Sequence, residues 1–261
     1  MCRISIVIPA LNEEHALPKT LDSISMQNKM LLADVIVVDG GSEDRTVDLA
    51  RSSGATVATA QRGRAKQMNL GASLAVSAAS CDVLIFLHAD TSLPGRSLDA
   101  IGDAMKDPAV VGGCFQQEFD IDDSLLLRAW TFGSRCCLFK TPRLVFGDRA
   151  IFVRAQIFEQ LGGFMEWPIL EDVDFAMRLS RVDDDAVFAF LDLAAITSAR
   201  RFAEKGYFQQ CCLNGFILAC WYAGYSPEQI KDWYVYKAPC PPEKRFEMPP
   251  LESKLDTSDK P

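Results

Sequence analysis

Apolar positions along the chain fall into two kinds of run. Ile4 to Ile8 is continuous, β-branched and of strand length, and Val35 to Val38 and Val83 to Leu87 repeat that character at long intervals. Strands apolar on both faces are covered on both sides, so these are expected to be buried and parallel. Between them Leu17 to Ser25, Arg45 to Ser53 and Ala65 to Ala79 have helical character; Ser42 or Asp44 can cap the second and Gly54 can end it. Strand and helix alternate, which predicts a doubly wound α/β sheet.

After about residue 107 the alternation weakens. An extended Val110 to Phe119, an amphipathic Leu125 to Phe139, and a strand pair around Ala150 to Val153 and Val187 to Phe190 are expected, and this half is read as shaping the second substrate's site. Gly206 to Tyr225 is an apolar helix interrupted by Gln209, Gln210 and Asn214, and a shorter helix begins after Ser226 and Pro227. The polar interruptions favour a helix packed on the core or lying at an interface over a membrane span. Residues 239–261, rich in proline and charge, are expected to be a disordered tail.

Composition narrows the function classes. With 27 basic against 35 acidic residues and net charge -8, the chain has the wrong sign for a general nucleic-acid binder, so any phosphate site must be a focused pocket. Nine cysteines without CxxC spacing, and only His15 and His88, argue against structural zinc and for free thiols in a reducing compartment. The N-terminus shows no stretch of signal-peptide form, and the expected location is cytoplasmic, with peripheral membrane contact through 206–225 as the interface alternative.

Ligands of open parallel sheets bind beyond the carboxyl ends of the strands, and those positions are polar here. The first strand delivers Pro9, Ala10, Leu11, Asn12, Glu13 and Glu14; the second Asp39, Gly40, Gly41 and Ser42; the third His88, Ala89, Asp90 and Thr91. Asp39-Gly40 would also suit a tight turn, but a capped helix follows it rather than a second strand, which leaves the carboxylate at the strand tip for a base or ribose. Asp90 can bind a hard divalent cation whose shell diphosphate and water complete, or it can cap the next turn. Gly63 to Ala72 joins a flexible entry to Arg64, Lys66, Gln67 and Asn69 at a helix start, which suits an anion or a base, although it is neither a Walker loop nor GxGxxG.

Glu171, Asp172 and Asp174 open an amphipathic helix. They can complement its dipole, and Asp174 can pair with Arg178; alternatively one of the adjacent acids can serve as a general base. Arg200 and Arg201 follow a predicted strand, and in an acidic chain such a pair can stabilise a leaving diphosphate or simply be solvated.

The segments VVDGGSEDRTV, GRAKQMNLGA, LIFLHADT, GDRAIFV, LGGF, ILEDVDF and TSARRF, in this order, resemble family 2 glycosyltransferases of the GT-A fold, from Arg3 to about Tyr236. They are most similar to the subfamily labelled arsenosugar-biosynthesis glycosyltransferases. The resemblance implies a Rossmann-like mixed sheet flanked by helices in a single domain over 1–238. Residues 1–107 would form the nucleotide-binding half, 108–205 the acceptor half and 206–238 the C-terminal helices. It implies a hexosyltransferase-like enzyme that moves sugar from a UDP- or GDP-sugar to a small-molecule or lipid-linked hydroxyl acceptor. Pro9, Ala10, Glu13, Asp39 and Gly40 would line the nucleotide pocket, with Arg64, Gln67, Asn69, His88, Ala89, Arg200 and Arg201 on the donor. Asp90 would hold Mg2+ or Mn2+ at the DxD position. Asp172, in the pair with Glu171, would be the base of a direct, inverting transfer, and Gly147, Asp148 and Arg149 would face the acceptor.

The chain departs from that pattern at three places. His88 replaces the first acid of DxD, SARRF stands where relatives carry QxxRW, and Arg149 stands where they more often carry glutamine. A nucleotidyltransferase or a non-catalytic nucleotide-sugar-binding module are the alternative readings. No arsenic chemistry is assigned to the adjacent pairs Cys136-Cys137 and Cys211-Cys212, because neighbours on a helix point different ways and a buried cysteine is most often a small hydrophobe.

Overall fold

The computed structural model describes residues 2–78, 81–120, 125, 128–129, 132, 141–142 and 145–236. The expected helix over Leu125 to Phe139, the pair Cys136-Cys137 and the tail 239–261 lie mostly or wholly outside these residues.

The elements in chain order are β1 (Ile4–Ala10), α1 (Leu17–Ser25), β2 (Leu32–Asp39), α2 (Thr46–Ser52), β3 (Thr56–Thr59), α3 (Arg64–Ser77), β4 (Val83–Phe86), β5 (Thr91–Ser92), α4 (Ser97–Ala104) and β6 (Val110–Phe119). A 3-10 turn at Gly147–Arg149 then leads into β7 (Ile151–Arg154), α5 (Ala155–Gln160), α6 (Glu171–Leu179), β8 (Val187–Thr197), α7 (Arg200–Lys205), α8 (Tyr207–Tyr222) and α9 (Pro227–Tyr236). The sheet order is β3-β2-β1-β4-β7-β6-β8-β5. β1 pairs in parallel with β2 and β4, and β2 with β3. β7 runs antiparallel to both β4 and β6, and β8 runs parallel to β6. This is the expected α/β fold with a mixed sheet.

Alternation along the strands builds two apolar layers. Ile4, Ile6 and Ile8 of β1 join Leu17, Leu21 and Ile24 of α1 and Leu98 and Ile101 of α4 on one face. Val7 joins Met68, Ala72 and Ala75 of α3, Phe158 of α5 and Phe175 and Leu179 of α6 on the other. Each fully buried aliphatic side chain there contributes about 1.5–3 kcal/mol. Gly71 lets α3 lie close to the sheet: a Cβ there would collide with Val7 Cγ1. A third cluster, made by Val173 and Met177 of α6 with Ile217, Cys220 and Trp221 of α8 and Ile230 of α9, docks the C-terminal helices.

Two expectations change. The strands around 150–153 and 187–190 are not partners, because β6 lies between them. β3, β5, α4 and α5 were not anticipated; they are short, and β3 is a half-exposed edge strand without a buried stripe. The expected cap of α2 by Ser42 or Asp44 is not formed at the N-cap itself. Arg45 occupies the N-cap, while Asp44 accepts the Thr46 N–H at 2.9 Å. At α9 the Ser226 hydroxyl accepts the Gln229 backbone N–H and the Gln229 side-chain Oε1 accepts the Ser226 N–H, a reciprocal capping box. Among the described residues no helix is long and apolar enough to cross a membrane.

Candidate active site

Strand direction gathers the polar loops at one edge of the sheet. β1, β2 and β4 run the same way, so the residues after Ala10, Asp39 and Phe86 emerge together. β7 is antiparallel to β4 with Ile151 opposite Phe86, which places the preceding Gly147–Arg149 turn beside His88. β6 and β8 end at that same edge, where Phe119 lies opposite Thr197.

A cleft of about 880 Å³ opens there, lined among others by Glu13, Arg64, His88, Asp90, Gln117, Gly147, Asp148, Asp172 and Arg200. Its size suits a ligand as large as a nucleotide sugar. The structure thus brings together eight of the expected site residues. It also adds Gln117, whose signal was a polar Gln116-Gln117-Glu118 ending to an otherwise apolar strand.

Asp172 sits in the first turn of α6, preceded by Leu170 at φ 65° in the left-handed region. That conformation costs a leucine about 1 kcal/mol, held in place by its burial in the third cluster. Asp172 Oδ2 accepts the Gly147 N–H at 2.7 Å and Oδ1 accepts the Val173 N–H at 2.8 Å, which fixes the carboxylate at the cleft wall. A Cβ on Gly147 would collide with His88 Nε2 and come within 3.3 Å of Asp172 Oδ2, so only glycine lets these two groups close over the turn.

Glu171 has a different environment from its neighbour. It is 1% exposed, does not line the cleft, and pairs with Arg64 across from the start of α3. Burial pushes its carboxyl up and the Arg64 charge opposes that; the same pair raises the Arg64 guanidinium. Arg64 also reaches His88 Nε2 at 3.3 Å. A guanidinium has only donors, so Nε2 is the accepting nitrogen and that lone pair is already engaged. Replacing Arg64 with methionine strands Glu171 and is expected to cost about 3 kcal/mol at neutral pH, the low end for a broken buried pair because the Arg64 side chain is one-third exposed. The loss should shrink in thermal denaturation at lower pH, where Glu171 is protonated. A loss equal at every pH would mean that the ion pair is not its cause.

Asp148 Oδ2 accepts a hydrogen bond from Gln117 Nε2 and its Oδ1 has no partner. Its carboxyl is pushed up to about 7, first by burial and then by the charges of Asp172 and Asp90, against the opposing pull of Arg149 and Arg64. Arg200 donates to Glu13 at 3.2 Å, joining the loop after β1 to the start of α7. Arg201 lies in the same helix.

The remaining expected site residues do not line the cleft. Asp39, 4% exposed, accepts the Gly41 and Ser42 N–H groups at 3.0 Å and so shapes its own turn. Gln67 donates to the Ala10 and Val38 carbonyls and ties the ends of β1 and β2 beside Gly40. Asn69 exchanges two hydrogen bonds with the Phe164 backbone. Pro9 and Ala10 are buried in β1, and the Ala89 carbonyl accepts from Thr20. Arg149, 2% exposed, donates to the Phe115 carbonyl and lies over the Phe190 ring, facing the sheet layer. Asp174 pairs with Arg178 at 2.8 Å, the structural alternative foreseen for it.

Known proteins share this architecture. An O-antigen chain rhamnosyltransferase of Salmonella typhimurium is 27% identical over 235 residues, 84% of this chain and 73% of that protein. A 4,4'-diaponeurosporenoate glycosyltransferase of Staphylococcus haemolyticus is 41% identical over 107 residues; the match takes in 38% of this chain and spans about a quarter (27%) of that relative's length. The solved glucosyl-3-phosphoglycerate synthase of Mycobacterium tuberculosis, in complex with Mn2+, UDP and glucosyl-3-phosphoglycerate, superposes with a TM-score of 0.56 at 22% identity, covering 78% of this chain and 75% of that one. The family model described as Glycosyl transferase family 2 matches residues 5–161, more than half of the sequence, and the chain belongs to that family.

Proposed function

We propose that this protein transfers a sugar from a uridine or guanosine diphosphate sugar to a hydroxyl acceptor. The observation that carries the reading is the convergence of Asp172, Asp90, Asp148, Arg64 and Arg200 on one cleft at the carboxyl edge of the sheet. In this reading residues 1–107 hold the nucleotide, 108–205 shape the acceptor side and 206–238 close it. Glu13 and Arg200 stand at the nucleotide end, while Asp39, Gln67 and Gly40 support that pocket from beneath.

Asp172 is the base. Its carboxylate takes the proton of the acceptor hydroxyl as that oxygen bonds to the anomeric carbon, and the bond from that carbon to the diphosphate oxygen breaks. The electron pair leaves with the nucleoside diphosphate, and direct displacement inverts the anomeric centre. Arg64 and Arg200 supply positive charge for the leaving group.

The donor set suits Mg2+ or Mn2+. Asp90, Asp148 and Asp172 are hard oxygen donors crowded enough that the charges of Asp90 and Asp172 raise Asp148, a field that a dication would relieve. Among the described residues no three His, Cys, Asp or Glu side chains are grouped as a metal cage, so in the proposed function diphosphate and water complete the shell. Asp90 would hold the cation, and when bound it would neutralise charge on the departing diphosphate. His88 takes no part in that shell because its Nε2 faces Arg64.

The seven motifs resemble those of the arsenosugar-labelled subfamily, and no arsenic chemistry is assigned to the cysteines. The acceptor is a small or lipid-linked alcohol. Phe208, Phe216 and Tyr222 on the outer side of α8 are exposed and suit contact with a lipid surface.

The test is nucleoside diphosphate release from a panel of UDP- and GDP-sugars with Mg2+ or Mn2+, with and without chelator. Metal-dependent release from one donor is expected. Pyrophosphate release from a nucleoside triphosphate would favour a nucleotidyltransferase, and tight donor binding without turnover would favour a binding module.

A further inference from the structure

The far wall of the cleft is built by α8, which contributes Gln210, Asn214 and Ile217. These positions are one turn apart, so they share a face of the helix. The same helix packs through Ile217, Cys220 and Trp221 against Val173 and Met177 of α6, the helix whose first turn carries Asp172. This wall is therefore on the Asp172 side of the cleft. In the proposed function Glu13 and Arg200 hold the nucleotide.

Gln210 is 4% exposed, in a helix that is otherwise strongly apolar. Its Nε2 donates to Asn214 Oδ1 at 2.8 Å, while its Oε1 is buried with no hydrogen-bond partner. A buried carbonyl left without a donor costs about 1–3 kcal/mol, so such an atom is conspicuous. Asn214 is partly exposed, and with its Oδ1 taken by Gln210 it keeps its Nδ2 protons for another partner. The two linked amides thus offer one acceptor and one donor about a helical turn apart. Turning both amides over leaves the same complement, with the roles exchanged.

Ile217, Ile169, Leu170 and Phe146, which belong to one apolar cluster, line the cleft together with the pair, and Lys231 of α9 is a cation lining it from the C-terminal helices. An adjoining donor and acceptor without formal charge match a group that can both give and take a hydrogen bond, and the apolar surroundings strengthen the preference. We infer that Gln210 and Asn214 form a hydroxyl-recognition subsite that binds the acceptor through a hydroxyl adjacent to the one that is glycosylated, so that the substrate class is a diol or polyol. The inference rests on the glycosyl-transfer reading for the word acceptor; the binding site itself does not.

A pair of ring alcohols that differ by one hydroxyl tests it. Binding of 1,2-cyclohexanediol and of cyclohexanol to the full chain, saturated with UDP and Mg2+, is measured by ligand-observed NMR titration for wild type, Gln210→Leu and Asn214→Ala. Wild type is expected to prefer the diol about ten-fold, and each variant to lose most of that preference. Equal affinity of wild type for the two alcohols, or a preference kept in both variants, overturns the subsite. UDP affinity on the same samples separates the two claims. If wild type binds no UDP, the donor reading fails while the diol preference is still decided. If only Gln210→Leu loses UDP, that variant has misfolded and the partly exposed Asn214→Ala decides alone.

Discussion

Asp172→Asn is expected to lower sugar transfer by about a hundred- to ten-thousand-fold, the range for removing a positioned general base. The substitution keeps the size of the side chain but removes its capacity to take a proton. It also exchanges one carboxylate oxygen for an amide nitrogen at a place where both oxygens accept backbone N–H groups, from Gly147 and Val173. One of those donors is left without an acceptor, so a stability loss of about 1 kcal/mol should accompany the kinetic effect. Nucleotide-sugar affinity should change far less than turnover, because the proposed function assigns the nucleotide to Glu13, Arg64 and Arg200 rather than to α6. Steady-state release of nucleoside diphosphate, with a separate donor titration, distinguishes the two quantities. Equal turnover in both proteins would remove Asp172 from the mechanism. A parallel loss of donor affinity would make it a structural clamp on the Gly147 turn.

Asp148→Asn is expected to stabilise the protein above neutral pH, by about 2–4 kcal/mol once allowance is made for water in the cleft. The unfolded carboxyl titrates near the model value 3.8, the folded one near 7. Between those values the folded chain holds a proton that the unfolded chain has lost. Wild-type stability therefore falls as pH rises through this window and levels off above it. Asparagine carries no such penalty. Its carbonyl can accept from Gln117 as Asp148 Oδ2 does, and its amide takes the position of the oxygen that has no partner. The difference in urea midpoint between variant and wild type should be large at pH 8 and small at pH 5. A difference of the same size at both would sink the argument. Adding Mg2+ and UDP should narrow the gap at pH 8, since a dication among these carboxylates offsets the charges of Asp90 and Asp172.

These two neighbours across the cleft show how differently the sequence disclosed its acids. Asp90 and Asp172 both proved to line one cleft, but spacing alone could not separate Asp172 from a helix-terminal charge. Its neighbour Glu171 looked equivalent and is not. The helical rotation between consecutive residues turns one carboxylate to the cleft and buries the other against Arg64. Asp39, Gln67 and Asn69 had the right residue types at a strand tip and a helix start, and their polar groups serve the backbone of Ala10, Val38, Gly41, Ser42 and Phe164 instead. Backbone satisfaction competes for the same donors and acceptors that a ligand would use, and one-dimensional pattern does not reveal which claim wins.

The chain by itself determined the parts that depend on local periodicity: the buried strands β1, β2 and β4, the helices α1, α2 and α3 between them, and the apolar character of α8 with its polar interruptions at Gln209, Gln210 and Asn214. It also determined that polar loops follow each strand, because direction along a strand is direction along the sequence. Only tertiary structure decided that β6 separates β7 from β8, that the Gly147 turn meets His88 and Asp172, and that Gln210 faces a cleft. Those juxtapositions join residues far apart in the chain, and they arise from which strand edges and apolar faces remain to be covered once the local elements have formed. Asp39, Asp90 and Asp172 stand in that order of legibility: the first ends β2, the second lies in the loop after β4, and the third is turned toward the cleft by helix packing.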